Sequence, residues 1–173
     1  MRIGLYAGTF DPVHEGHVGF ARDAMETARL DKVIFYPERS PKSKPEATSF
    51  EIRLSRLVYT VEEYKSFSVV PPLHEVTTLN STMRQFPVYY EKHTVVLMIG
   101  SDIIPMLKYW QNTSDILREH EFCVGLRDDA TAETARKQMD LLGTHFGIRV
   151  RYTVATTDYA DVSSSRVRLA TQS

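Results

Sequence analysis

Short apolar runs alternate along the chain with stretches whose apolar residues recur every three or four positions. Residues 3–7 form the first run. After a turn-rich interval, Val18, Ala21, Met25 and Ala28 mark one face of a helix that begins at about His17. Residues 32–37, β-branched and aromatic, predict a second strand. Residues 67–70 predict a third, stopped by Pro71 and Pro72. Residues 93–99 are apolar almost without interruption, the pattern of a central strand covered on both faces. Later strands are predicted at 121–126 and 149–155.

The intervening segments carry helical periods. Thr48 and Glu51 have capping-box spacing. Beyond them Leu54, Leu57, Val58 and Val61 line one helix face, which places Arg53 and Arg56 on solvated faces. Leu79, Met83 and Phe86 mark another helix, residues 115–118 a short one, and residues 131–142 a longer one that Gly143 is expected to stop. Ser163 or Ser164 is a natural N-cap for a last, short helix. Strands alternating with helices predict an α/β fold, a doubly wound parallel sheet. No repeat, linker or low-complexity segment divides it, so one domain over 1–173 is expected.

Composition narrows the class only modestly. A chain of 173 residues can bury one substantial core. The net charge of −1 excludes a global basic field for nucleic acid, so any phosphate must be bound locally. The single Cys123 excludes an internal disulfide. No leader-like run follows Met1 and no stretch reaches the roughly 20 apolar residues of a membrane helix. A cytoplasmic protein with neither nucleic acid nor membrane as partner is therefore expected, its oligomeric state open.

The chemistry concentrates where the first strand meets the first helix. Gly8, Pro12 and Gly16 punctuate that junction, and His14 and His17 sit in it. The first amides of a helix lack internal acceptors and carry partial positive charge, which suits phosphate. Neither a G-x-G-x-x-G fingerprint nor a Walker lysine is present, and Val18 stands where a zinc metalloprotease helix needs its second histidine. Farther on, residues 38–45 form a proline-rich surface loop with Arg39, Lys42 and Lys44, a candidate anion clamp or a plainly solvated loop. Gly100-Ser101-Asp102 ends the central strand, where α/β sheets bind ligands. Asp102 suits a ribose, a magnesium-bound water or a backbone amide, and the alternative, compatible with these, is an N-cap for the next helix. Trp110, the only tryptophan, suits either the core or a flat ligand. Arg127, at the end of a strand, suits a phosphate or solvent.

Residues 8–17, Gly-Thr-Phe-Asp-Pro-Val-His-Glu-Gly-His, resemble the G-[TS]-F-D-P-x-H-x-G-H signature of the nucleotidyltransferase α/β-phosphodiesterase superfamily. Residues 162–168, Val-Ser-Ser-Ser-Arg-Val-Arg, resemble its second signature, I-S-S-T-x-I-R. Gly100, Asp102 and Trp110 are similar in type and spacing to the G-x-D-x(7)-W pattern of the nicotinate mononucleotide adenylyltransferase family. Pro37, Pro41 and Lys44 match its basic loop, with Lys42-Ser43 replacing a Pro-His pair, and Thr78-Leu79 is the remnant of a further stretch.

The resemblance implies a Rossmann-like fold and adenylyl transfer from ATP to nicotinate mononucleotide, with magnesium accompanying ATP and no metal-binding residues of the protein's own. It implies that His14, His17 and Arg168 are catalytic. Gly8, Thr9, Phe10, Gly16, His17, Gly100, Asp102, Ser164, Ser165 and Arg168 would hold ATP. Thr9, Phe10, Lys44, Thr78, Trp110 and Arg127 would hold the phosphorylated, nucleotide-like acceptor. Phosphopantetheine adenylyl transfer and cytidylyl transfer are the alternatives within the superfamily, and a non-catalytic nucleotide sensor is the alternative outside enzymology.

Overall fold

The structure, a computed structural model, describes residues 1–41, 44–73, 91–127 and 130–156. Arg2–Gly8 is strand β1, followed by helix α1 (Glu15–Thr27), β2 (Lys32–Pro37), α2 (Phe50–Val61) and the short β3 (Phe67–Val69). The second half runs through β4 (Thr94–Gly100), a 3₁₀ turn (Ser101–Ile103), α3 (Ile104–Leu107), α4 (Thr113–Glu119), β5 (Glu121–Gly125), α5 (Ala132–Phe146) and β6 (Arg151–Ala155). The predicted helix around Leu79 and the last helix, with Ser163 and Ser164, lie outside the described residues, as do Lys42 and Ser43.

The six strands form one sheet in the order β3-β2-β1-β4-β5-β6, every neighbouring pair parallel. This is the expected doubly wound α/β architecture. The sequence order reverses between β1 and β4, so the chain leaves the carboxyl ends of these two adjacent strands in opposite directions and opens a crevice there.

Period-two alternation builds two cores from the same strands. Ile3 and Leu5 of β1, with Val95, Leu97 and Ile99 of β4, face Ile104, Leu107, Ile116, Leu117 and Met139 of α3, α4 and α5. Tyr6, Val33, Phe35, Val96 and Met98 face Phe20, Ala21 and Ala24 of α1 and Leu57 and Val61 of α2. A sheet covered on both faces excludes water from its ladders, which explains the nearly continuous apolar runs of the central strands.

Three expectations are corrected. Helix α5 passes through the buried Gly143 and ends at Gly147, whose φ of 66° lies in the left-handed region. The Ile148 N–H then donates to the Gly143 carbonyl at 2.8 Å, closing a Schellman-type end. Helix α2 starts from Ser49 without a side-chain cap, so the Thr48–Glu51 box does not form. Its buried face is Phe50, Arg53, Leu57 and Val61, with Val58 exposed; Arg53, expected in solvent, is 1% exposed.

Candidate active site

The β1–α1 junction is a polar knot inside an aromatic box. Phe10 is buried with a φ of 49°, a left-handed conformation costing a bulky residue of the order of 1–2 kcal/mol. Its ring packs edge-on to Tyr6 and His17, with centroids 5.3 and 5.0 Å away, and lies 5.7 Å from Phe35. A Cβ on Gly8 would meet that ring at 3.2 Å, so the glycine leaves room for the turn.

Helix α1 is capped by the histidines themselves. His14 is the N-cap, and its Nδ1 accepts from the Gly16 N–H at 3.1 Å. The His14 N–H in turn donates to Nδ1 of His17 at 3.2 Å. The two rings lie 3.8 Å apart, centre to centre. A backbone N–H can only donate, so both Nδ1 atoms are unprotonated, and each neutral imidazole carries its proton on Nε2.

Burial holds His14 down to about 4, with Arg127 adding to the shift. Burial also holds His17 well below its ordinary value, helped by the charges of His14, Arg127 and Lys44. The ligand-free site therefore presents two neutral Nε2–H donors at pH 7. Helix-end amides were expected to serve phosphate, yet the Gly16 N–H is occupied by His14, and the N–H groups of His17 and Val18 point to the His14 carbonyl.

The ends of β4 and β5 close the site from the other side. The Arg127 N–H donates to Ser101 Oγ at 3.0 Å, and its guanidinium donates through Nη2 to the Tyr6 hydroxyl at 3.0 Å. Arg127 is thus held rather than solvated, within electrostatic reach of both histidines. Tyr6 is buried and its phenol is pushed up to about 12, mainly by desolvation and against the pull of Arg127, so it stays a neutral acceptor. A Cβ on Gly100 would collide with the Asp102 carboxylate and meet Arg127 Nε at 3.3 Å, so these three residues converge on one spot.

Asp102 is not a cap. Gly100 occupies the N-cap position of the 3₁₀ turn, and the helix after it starts from Ile103 without a side-chain bond. Trp110 does not join the core: it is 37% exposed in the turn after α3, held by its N–H to the Leu107 carbonyl and by Thr113 Oγ1 on its own carbonyl.

The structure thus brings together Gly8, Thr9, Phe10, His14, Gly16 and His17 at one strand end, and Gly100, Asp102 and Arg127 at the ends of the neighbouring strands. Lys44 lies near enough to act on His17. Thr78, Ser164, Ser165 and Arg168 lie outside the described residues. Tyr6 and Arg53 were missed. A tyrosine inside an apolar strand and an arginine on a helix carry no signature in sequence, although Arg53 stands three residues after Phe50 and four before Leu57, in register with the apolar seam.

A parallel sheet with a donor-lined crevice at the reversal of its strand order defines an α/β protein of the kind that binds its ligand at the carboxyl edge. Residues 5–170 match the cytidylyltransferase-like family, and the chain belongs to that family. A protein of Dictyoglomus turgidum named probable nicotinate-nucleotide adenylyltransferase is 33% identical over 134 residues, 75% of this chain and 66% of its own length. One of the same name from Gemmatimonas aurantiaca is 30% identical over 176 residues, 97% of this chain and 80% of its own length. The fold is similar to that of Plasmodium falciparum nicotinic acid mononucleotide adenylyltransferase complexed with NaAD. That likeness has a TM-score of 0.77 over 97% of this chain and 82% of the other, at 16% identity.

Proposed function

We infer that the chain is an adenylyltransferase of NAD biosynthesis, joining ATP to nicotinate mononucleotide to give deamido-NAD and pyrophosphate. The observation that carries this reading is the pair of imidazoles 3.8 Å apart and tilted by 38°, Nδ1 atoms bound to backbone and Nε2–H groups left as donors, within electrostatic reach of Arg127 at the switch point of a family fold. The names of the relatives point to the acceptor.

In the reaction an oxygen of the acceptor phosphate attacks the α-phosphorus of ATP, and the bond from that phosphorus to the β-phosphate oxygen breaks. A phosphate monoester has its second pKa near ~6 and is already mostly a dianion at pH 7, so no general base is needed. Catalysis then rests on alignment and on neutralising charge as pyrophosphate departs. His14 and His17 donate Nε2–H to the phosphates, and their imidazoles can gain protons as negative charge enters, since an anion raises the pKa that burial lowers. Arg127 and Lys44 contribute fixed positive charge. Arg168, with the hydroxyls of Ser164 and Ser165, is assigned to the β- and γ-phosphates on the resemblance of its motif. Asp102 is assigned to ATP, Trp110 to the pyridine ring, and Thr78 to the acceptor on the same ground.

Magnesium is proposed to enter as the counter-ion of ATP, part of that substrate. Asp102, an exposed carboxylate beside Arg127, suits a water-mediated contact to it. We place the reaction in the cytoplasm on the same reading; no helix among the described residues is long and apolar enough to cross a membrane.

The test is pyrophosphate release from ATP and magnesium with nicotinate mononucleotide, nicotinamide mononucleotide and phosphopantetheine offered separately. Fastest release with nicotinate mononucleotide, and deamido-NAD as product, is expected. Preference for phosphopantetheine would reassign the acceptor, and silence with every acceptor would favour a nucleotide sensor.

A further inference from the structure

Arg53 is a cation sealed into the seam of α2, 1% exposed, far from where an arginine of a surface helix belongs. Its guanidinium is bonded to three backbone carbonyls from three segments. Nη1 donates to Thr9 O at 2.6 Å, Nε to Thr48 O at 2.8 Å and Nη2 to Arg39 O at 3.0 Å. Burial lowers its pKa, and the charges of Asp11, Glu38 and Glu51 oppose that shift. The same segments are joined again nearby. The Thr48 N–H donates to Asp11 Oδ2 at 3.0 Å, the Glu38 N–H to Gly8 O at 2.8 Å, and Thr9 Oγ1 to Glu38 Oε2 at 3.3 Å.

The consequence lies in the Thr9–Phe10 peptide. Its carbonyl and the following N–H point in opposite directions across a planar trans bond. By holding the Thr9 carbonyl, Arg53 turns the Phe10 N–H away from itself, and no acceptor for that N–H is found among the described residues. Phe10 is also the residue in the left-handed conformation, so the orientation of this peptide is not one the loop adopts by default.

We propose that Arg53 is a positioning residue for phosphoryl transfer: it clamps the Thr9 carbonyl so that the Phe10 N–H is presented to phosphate, and it fixes the Lys44-bearing loop against the histidine pair. The catalytic half of this rests on the adenylyl-transfer reading; the clamp itself does not.

Arg53→Lys and Arg53→Gln are compared with Leu57→Ala, which loosens the same helix and leaves the hydrogen bonds from Arg53 to the loops in place. Two readouts are taken well below each variant's melting temperature: the amide resonance of Phe10 in the ligand-free protein, and the separate kcat and KM values for ATP and nicotinate mononucleotide. The clamp requires the Phe10 resonance to move in both Arg53 variants and to stay in place in Leu57→Ala. It requires kcat to fall tenfold or more, Lys retaining more activity than Gln, with KM for ATP changed less than threefold. An unmoved resonance, a kcat within twofold of wild type, or an equal loss in Leu57→Ala overturns the proposal. If wild type itself is silent with nicotinate mononucleotide, the functional reading fails while the resonance still decides the clamp.

Discussion

Each imidazole of the pair uses Nδ1 to cap the chain and keeps Nε2 for whatever enters the site, so substitutions can separate the two roles. Asparagine places an acceptor near the Nδ1 position and glutamine places a donor near Nε2. His17→Asn is therefore expected to keep the fold and to lose about 10²-fold or more in kcat, the usual scale for one missing transition-state donor. Circular dichroism and steady-state turnover, measured on the same preparation, check this. The depressed pKa values also set a direction for stability. Unfolded histidines titrate near ~6.5 and bind protons that the folded pair refuses. Their contribution is complete above that pH and is lost as pH falls, towards about 4 for His14 and in the same direction for His17. Buried His120 is shifted the same way, chiefly by desolvation. A His14→Asn, His17→Asn double variant is expected to lose less melting temperature than wild type between pH 6.5 and 4; an identical decline would remove the pair from that linkage. Trp110→Ala is expected to raise KM for the pyridine nucleotide more than for ATP, and equal changes would leave the exposed indole without a role in the acceptor site. The histidines were legible because a fixed spacing of unlike residues is rare. The tautomer was not, since it depends on which backbone amides fold beneath the rings.

Strand positions were read almost to the residue, because a strand buried on both faces writes itself as an apolar run: 32–37 and 93–99 became β2 and β4 with little change. Helix ends were read less well. Gly143 resembled a stop, but Gly147 supplies the left-handed turn, and Gly143 is where the Ile148 carbonyl crosses the helix. A Cβ there would come within 2.6 Å of that carbonyl oxygen. Gly→Ala inside a helix ordinarily stabilises by about 1 kcal/mol. Here Gly143→Ala is expected to destabilise instead, by roughly 1–3 kcal/mol, as overpacking does. A lower urea midpoint with an unchanged slope would show it; a higher midpoint would mean that the α5–β6 connection yields. In α2 the period was seen but its phase was not, because a charged residue was read as solvated when three carbonyls waited for it.

Across the whole molecule, residues distant in sequence meet because the sheet reverses its order between β1 and β4. Gly100 pairs with Gly125 at the ends of β4 and β5, and Arg127, two residues beyond Gly125, reaches across to Tyr6 of β1. The alternation of elements foretold such a meeting at the carboxyl edge but not its members, since Tyr6 reads as core until the arginine is placed beside it. The central claim is that a histidine-capped helix at this edge drives adenylyl transfer. Its most direct test is the initial rate of deamido-NAD formation from ATP, magnesium and nicotinate mononucleotide by wild type and by His17→Asn, side by side at one temperature. Steady product from wild type, with at least about a hundredfold slower formation by a folded His17→Asn, is the expected result. Equal rates from the two proteins, or no product from wild type, would contradict it.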